Sequence, residues 1–112
     1  MLEYIRKRDG RLVAFEEQKI TEAIQKAVRA VGGKDMDKAA RIARQVVGIL
    51  EVIYKDGRIP TVENVQDLVE KSLIENGHAQ TAKTYILYRQ QHDNLRRTKE
   101  FMKESIEAID SY

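Results

Sequence analysis

Three cationic residues surround one short turn near the start of the sequence. Lys7, Arg8 and Arg11 flank the dipeptide Asp9-Gly10. Asp-Gly predicts a two-residue hairpin turn, because glycine adopts positive φ without steric cost and aspartate tolerates it. Such a turn brings the cations together and exposes backbone N–H groups. Cations and N–H groups are the components of a phosphate site, so the chemistry indicated here is anion binding.

A fourth cation, Lys19, stands in the first turn of a helix predicted to follow the hairpin at once. The unpaired N–H groups of a helix N-terminus attract anions. A lysine there opposes the helix dipole, which makes it weak evidence for an anionic partner. Two plainer interpretations stay open: the hairpin charges only keep the protein soluble, and Lys19 is an ordinary surface lysine.

Residues for catalysis do not come together in the sequence. His78 and His92 are far apart and share no metal-ligand spacing, and no serine–histidine or paired-carboxylate pattern is present. The absence of cysteine excludes disulfides, thiolate metal sites and thiol nucleophiles. No glycine-rich nucleotide loop of a standard pattern occurs either. We therefore expect a chain that is not itself an enzyme and that contains no metal site of its own.

The composition indicates a single helix-rich domain with a modest core, at 112 residues and 34% charged residues. A net charge of +2 is too small to imply nucleic acid by itself. No apolar run reaches the length of a membrane span, and the N-terminus lacks the apolar segment of a signal peptide. We expect a cytoplasmic location and no membrane partner.

The hydrophobic periodicity predicts the elements that must position these cations. Strands are expected over residues 4–8 and 11–15, and helices over residues 17–31, 36–54 and 62–75, with a fourth helix from about Ala79. The second helix carries so broad an apolar stripe that we expect it to be buried on more than one side.

Pro60 favours an extended segment before it, where a third short strand is an open alternative. The last residues repeat the helical period, either as a new helix capped by Thr98 or as a continuation of the fourth. The predicted fold class is α+β, mainly α.

Four motifs in order then resemble one family. They are KRDG at residues 7–10, FEEQKI at 15–20, IPTVENVQDLVE at 59–70 and AKTYILYR at 82–89. Together they closely resemble the ATP-cone domain, the allosteric nucleotide-binding module at the N-terminus of many ribonucleotide reductases. The resemblance implies a small sheet cap, formed by the N-terminal hairpin, on a four-helix bundle. It divides the chain into an ATP-cone domain, residues 1–95, and a helical connector, residues 96–112, toward a missing catalytic domain.

The resemblance also implies a nucleotide site beneath the cap. Lys7, Arg8 and Lys19 match positions that contact the nucleotide or its phosphates. Glu16 falls at a position that can contact the adenine, and the apolar positions Ile5, Phe15 and Ile20 surround the base. Thr61 and Arg89 lie in matching segments and complete the expected site.

The ligand implied by the resemblance is ATP or dATP, with Mg²⁺, acting as an allosteric effector rather than a catalytic cofactor. ATP is expected to activate and dATP to inhibit. The tail after Arg89 looks like the connector into an anaerobic, class III ribonucleoside-triphosphate reductase. The implied partners are the rest of that reductase chain and, as an open alternative, further copies of this domain.

Two other function classes remain as alternatives. A basic hairpin could serve a nucleic-acid-binding domain, but the first and third helices carry charges of mixed sign rather than an aligned basic face. A helical oligomerisation module would use the broad second helix and the amphipathic tail, and this role is compatible with nucleotide binding.

Overall fold

A computed structural model describes the backbone of residues 2–101 and the side chains of residues 2–94. Two strands come first, β1 (Tyr4–Arg6) and β2 (Leu12–Ala14), and they pair as an antiparallel hairpin. Four helices follow in the described residues: α1 (Glu17–Ala30), α2 (Met36–Ile53), α3 (Val62–Glu75) and α4 (Ala79–Phe101). The predicted class, a mainly α protein with one N-terminal hairpin, is confirmed.

The four helices form a closed bundle, because each packs on the next and α4 returns against α1. Apolar residues from all four helices fill its interior, and Ile5 of β1 joins them with no exposed surface. The hairpin therefore packs on the bundle as a cap. The buried core consists of Ile5, Ile20, Ile24, Ala27, Val28, Ala39, Ile42, Ala43, Val46, Leu50, Val62, Val65, Val69, Leu73, Ala82 and Tyr85.

The helix ends follow from local side chains and glycines. The Asp35 carboxylate caps α2 by accepting the Lys38 N–H at 3.0 Å. A capping box begins α3: Thr61 Oγ1 accepts the Asn64 N–H at 3.1 Å, and Asn64 Oδ1 accepts the Thr61 N–H at 3.0 Å. Gly77, at a φ of 81°, ends α3.

The hairpin turn differs from the expected two-residue form. Arg6 pairs with Leu12, and the Lys7 N–H donates to the Arg11 carbonyl at 2.8 Å, which leaves a three-residue loop at residues 8–10. The predicted pairing of Arg8 with Arg11 is therefore wrong, and both strands are shorter than expected. The physical reason is the Asp9 carboxylate, which accepts the N–H of Arg11 at 3.1 Å and its Nε at 2.7 Å. Gly10, at a φ of 90°, completes this wider loop.

The extended segment before α3 pairs with the hairpin at one point. The Arg6 N–H donates to the Pro60 carbonyl at 3.0 Å, and Arg6 forms a parallel bridge with Thr61. The third short strand that the sequence left open is therefore reduced to a single β-bridge. This contact ties the cap to the start of α3.

The expectation that the second helix is buried on more than one side is wrong for its last turn. At the end of α2, Val52 is 69% exposed and Ile53 is 46% exposed, because the neighbouring helices α1 and α3 leave the outer side of α2 open. The fourth helix begins at Ala79 as predicted.

The C-terminal segment shows no helix boundary at Thr98, since α4 continues to Phe101. It also crosses the proposed domain boundary after residue 95, and that division stays a prediction. Residues 102–112, where the rest of the connector was expected, lie outside the described residues. Among the described residues, none of the helices is both long and apolar enough to cross a membrane.

Candidate functional site

A groove of about 190 Å³ lies between α1, α3 and α4. Its walls combine cations and aromatic rings with one carboxylate and one amide: Lys19, Glu22, Ala23, Lys26, Gln66, Tyr85, Tyr88, Arg89 and His92. Ligand pockets typically measure roughly 300–1,000 Å³. The groove can therefore hold a phosphate group or part of a base, and a whole nucleoside triphosphate would extend beyond it.

The first turn of α1 supplies one wall of the groove. Glu16 is the N-cap residue, but its side chain makes no capping hydrogen bond to the described backbone. The side chain of Lys19 is 44% exposed, and its Nζ lies 3.9 Å from a Glu16 carboxylate oxygen. At this distance the pair is an ion pair without a hydrogen bond. A partly exposed ammonium group thus stands beside a helix start whose N-cap residue makes no side-chain capping hydrogen bond to the described backbone.

Arg8 connects the hairpin loop to two helices. Its Nη1 lies 2.8 Å from Asp93 Oδ1 on α4, and its Nη2 donates to Gln66 Oε1 on α3 at 3.1 Å. The Arg8 side chain is 17% exposed, and Gln66 is buried. Since Gln66 also lines the groove, Arg8 lies behind the groove wall and fixes the cap to it.

Glu63 approaches the same guanidinium from α3. Its Oε1 is 3.9 Å from Arg8 Nε, is buried, and has no hydrogen-bond partner among the described residues. Arg8 is therefore surrounded by carboxylates on two helices.

Arg89 is held by two carboxylates of α3. Its Nη1 donates to Asp67 Oδ1 and Glu70 Oε1, each at 2.7 Å. Burial acts to lower the pKa of Arg89, but the hydrogen bonds and charges of Glu70 and Asp67 outweigh it and raise that pKa. The carboxylates of Asp67 and Glu70 therefore balance much of the positive charge that Arg89 brings to the groove.

The aromatic residues of α4 form the opposite wall. Lys26 Nζ of α1 lies 4.8 Å above the centre of the Tyr88 ring, a cation–π contact. Burial raises the pKa of the Tyr85 hydroxyl. Burial and the nearby Lys26 lower the pKa of His92, which favours the neutral form of its imidazole. This wall offers ring faces and neutral polar groups to a ligand.

The structure brings some of the predicted site residues together and separates others. Lys19 and Arg89 line the groove, and Arg8 contacts it through Gln66. Lys7 directly precedes the hairpin loop, where its N–H donates to the Arg11 carbonyl, and Phe15 packs half-buried on the core. Ile5 and Ile20 are fully buried, so their contact with a base would require movement of the cap. Glu16 and Thr61 are the N-cap residues of α1 and α3.

The sequence interpretation missed most of the groove. It left out Glu22, Ala23, Lys26, Gln66, Tyr85, Tyr88 and His92 as site residues. A signal for some of them existed, because residues 19, 22, 23 and 26 recur at the three- and four-residue spacing of one helix face. Residues 85, 88, 89 and 92 repeat this spacing on α4. Finding that the two faces meet required the pairing of α1 with α4.

Metal binding by the protein alone finds no support in the described part of the chain. No group of three or more histidine or acidic residues there could hold a metal ion.

A second depression, of about 440 Å³, lies at the start of α2 and the α3–α4 connection. Lys38, Arg41 and His78 are among its lining residues. It contains none of the predicted site residues.

Comparison with known proteins finds a match to one protein family. The family model described as "ATP cone domain" matches residues 3–94. A vitamin B12-dependent ribonucleoside-diphosphate reductase of Thermoplasma acidophilum is 40% identical over 107 residues, which cover 91% of this chain and 13% of that protein. The ribonucleoside-diphosphate reductase subunit alpha of Chlamydia trachomatis is 37% identical over 94 residues, covering 74% of the chain and 9% of that protein.

An anaerobic ribonucleoside-triphosphate reductase is also similar. The protein of Salmonella typhimurium is 29% identical over 109 residues, which cover 97% of the chain and 15% of that protein. The chain spans between 9% and 15% of the length of these three relatives.

Proposed function

Because this chain belongs to the ATP cone domain family, we propose that it is a regulatory module that binds ATP or dATP and has no catalysis of its own. The observation that carries the proposal is the groove beside α1. There Lys19 stands in the first turn of α1, whose N-cap residue makes no side-chain capping hydrogen bond to the described backbone, and Lys26 lies two turns further along the same groove wall. Cations beside a helix N-terminus favour phosphate.

The proposed phosphate contacts combine α1 with the cap. Lys19 would bind the phosphates directly, and Arg8 and Lys7 would reach them from the hairpin. Arg89 is a weaker candidate than the resemblance implied, because Asp67 and Glu70 already bind its Nη1. We assign it mainly to holding α4 against α3.

We propose that the protein contacts the base of the nucleotide at the place where the ligand extends out of the groove. Tyr88 offers a ring, and stacking of a base on an aromatic side chain contributes about 1–3 kcal/mol. The family pattern places Ile5, Phe15 and Ile20 around the base and Glu16 at its edge. Since Ile5 and Ile20 have no exposed surface, that mode requires the hairpin to lift from the bundle. Mg²⁺ would then bind through the phosphates.

The parent of this domain is proposed to be a ribonucleotide reductase. The chain would control overall activity, with ATP activating and dATP inhibiting, through contact with the rest of the reductase. An anaerobic class III parent agrees with the Salmonella typhimurium relative at 29% identity, while the Thermoplasma acidophilum relative, at the higher identity of 40%, supports a B12-dependent parent.

Calorimetric titration tests the proposal. The 112-residue chain is titrated with ATP, dATP, GTP and a short DNA duplex in the presence of Mg²⁺. We expect saturable binding of ATP and dATP, weaker binding of GTP and no binding of the duplex. Absence of binding by both adenine nucleotides, or tight binding of the duplex alone, would reject the proposed function.

A further inference from the structure

We propose that Asp93 competes with the nucleotide phosphates for Arg8 and, through that residue, latches the hairpin cap onto α4. This inference rests on the proposed function for its ligand. It concerns the regulation of the same site and assigns a role to a carboxylate that does not line the groove.

The first observation is the way Arg8 is held. Its Nη1 lies 2.8 Å from Asp93 Oδ1, and its Nη2 donates to Gln66 at 3.1 Å. The third edge, at Nε, faces Glu63 Oε1 at 3.9 Å. A guanidinium binds phosphate through paired N–H donors in a fixed fork. Each nitrogen of this fork already has a neighbouring acceptor on α3 or α4, so a phosphate that binds through the paired Nη1 and Nη2 donors competes with Asp93 and Gln66 for them.

The second observation identifies Asp93 as the acceptor that opposes phosphate most. The Arg8 and Asp93 side chains are only 17% and 25% exposed, so solvent screens their attraction less than that of a surface pair. Asp93 is also a full negative charge at 2.8 Å from Nη1, whereas Gln66 is a neutral amide and the Glu63 carboxylate lies farther away, at 3.9 Å from Nε. A phosphate that approaches Arg8 meets repulsion from Asp93, and the exchange of one anion for the other reduces the net gain on binding.

The third observation concerns the cap. The described links between the hairpin and the rest of the fold include the Arg8 contacts and the hydrogen bond from the Arg6 N–H to the Pro60 carbonyl at 3.0 Å. Of these two, the Arg8 contact with Asp93 reaches α4. Releasing Arg8 from Asp93 therefore loosens the cap from α4 in the same step that turns the guanidinium toward phosphate. Binding and cap movement are coupled by one side chain.

Nucleotide titration of variants tests the competition. Asp93→Asn keeps the size of the side chain and removes its charge, and we expect it to bind ATP about tenfold more tightly than wild type. Asp93→Glu, which keeps the charge, should bind like wild type. Glu75→Gln removes one exposed negative charge at the end of α3 and serves as the matched control. Equal or weaker binding by Asp93→Asn would overturn the proposal.

A double-mutant cycle separates competition from general electrostatics. If Asp93 acts through Arg8, Asp93→Asn should not raise ATP affinity in an Arg8→Gln background. If it raises affinity equally in both backgrounds, Asp93 merely repels the ligand and the proposed competition is wrong.

Hydrogen exchange without added nucleotide tests the latch independently. We expect the hairpin amides of Arg6, Lys7 and Gly10 to exchange faster in Asp93→Asn than in wild type. Unchanged exchange would overturn the latch even if no nucleotide binds to any variant. Failure of wild type to bind ATP would instead reject the proposed function, while the exchange result would still decide whether Asp93 holds the cap.

Discussion

Arg89 Nη1 donates a hydrogen bond to Glu70 Oε1 at 2.7 Å and thereby joins α4 to α3. The two side chains are 19% and 21% exposed, so the pair is largely removed from solvent. Asp67 accepts from the same nitrogen at 2.7 Å on the more exposed side. The guanidinium thus satisfies a partly buried carboxylate, and breaking the pair leaves that carboxylate without its donor.

Arg89→Gln should lower the free energy of unfolding by about 1–3 kcal/mol, because Glu70 then keeps a charge without its donor. Urea unfolding of the protein without nucleotide measures the change. Lys71→Gln is the control, since its ion pair with Glu75 is exposed at 69% and 64%, and it should change stability by less than about 0.5 kcal/mol. Equal stability of both variants would contradict a structural role for Arg89.

Thr61→Ala should lower the free energy of unfolding by about 1 kcal/mol through loss of the α3 cap. Its Oγ1 accepts the Asn64 N–H at 3.1 Å, and alanine cannot replace that acceptor. Thr61→Ser keeps the hydroxyl and should restore most of the stability. If Thr61→Ala is as stable as wild type and only its ATP affinity falls, Thr61 belongs to the ligand site as the family pattern implied.

The helices could be predicted closely because their signals are local. The bounds of α3 agree with residues 62–75 at both ends, where Thr61 caps the first turn and Gly77 ends the last. The register of the hairpin was harder to predict than the bounds of the helices. The Asp-Gly dipeptide permits both two- and three-residue loops, and the side chain of Asp9 selects the longer one by binding Arg11.

The site could be predicted less well because it depends on contacts between distant elements. The motifs place the hairpin, the start of α1 and Arg89 in the candidate site, and this assignment stays a prediction. The contact of Arg8 with Asp93 joins residues 85 positions apart, and no local pattern predicts such a pair. Likewise Lys26 and Tyr88 meet only because α4 packs on α1. Sequence periodicity describes the face of each helix but not its neighbour.

Stability should fall when the pH drops below about 6.5. The pKa values of His78 and His92 are lowered from 6.5, in both cases mainly by burial and then by nearby cations, Lys38 for His78 and Lys26 for His92. The unfolded chain therefore binds more protons than the folded one below pH 6.5. The full contribution is present above pH 6.5 and is lost as the pH falls toward the folded-state pKa values.

Urea unfolding at pH 7.5, 6.5 and 5.5 measures this dependence. The His78→Gln, His92→Gln double variant should show a smaller loss between pH 6.5 and 5.5. Carboxylates such as Asp9, whose pKa is lowered from 3.8 chiefly by the Arg11 N–H, act in a separate and more acidic range. If the double variant loses as much stability as wild type between pH 6.5 and 5.5, the loss does not come from the two histidines.

Lys19→Gln should weaken ATP binding about tenfold to a hundredfold, because it removes a charge-assisted hydrogen bond to phosphate worth roughly 1.5–3 kcal/mol. The unliganded stability should change by less than about 0.5 kcal/mol, since the lysine side chain is 44% exposed and only weakly paired with Glu16. Calorimetric titration and urea unfolding give the two values. Lys34→Gln, an exposed lysine between α1 and α2, controls for the loss of one positive charge and should bind ATP like wild type. Wild-type affinity in Lys19→Gln would remove this residue from the site, whereas equal weakening in both variants would show that only net charge matters.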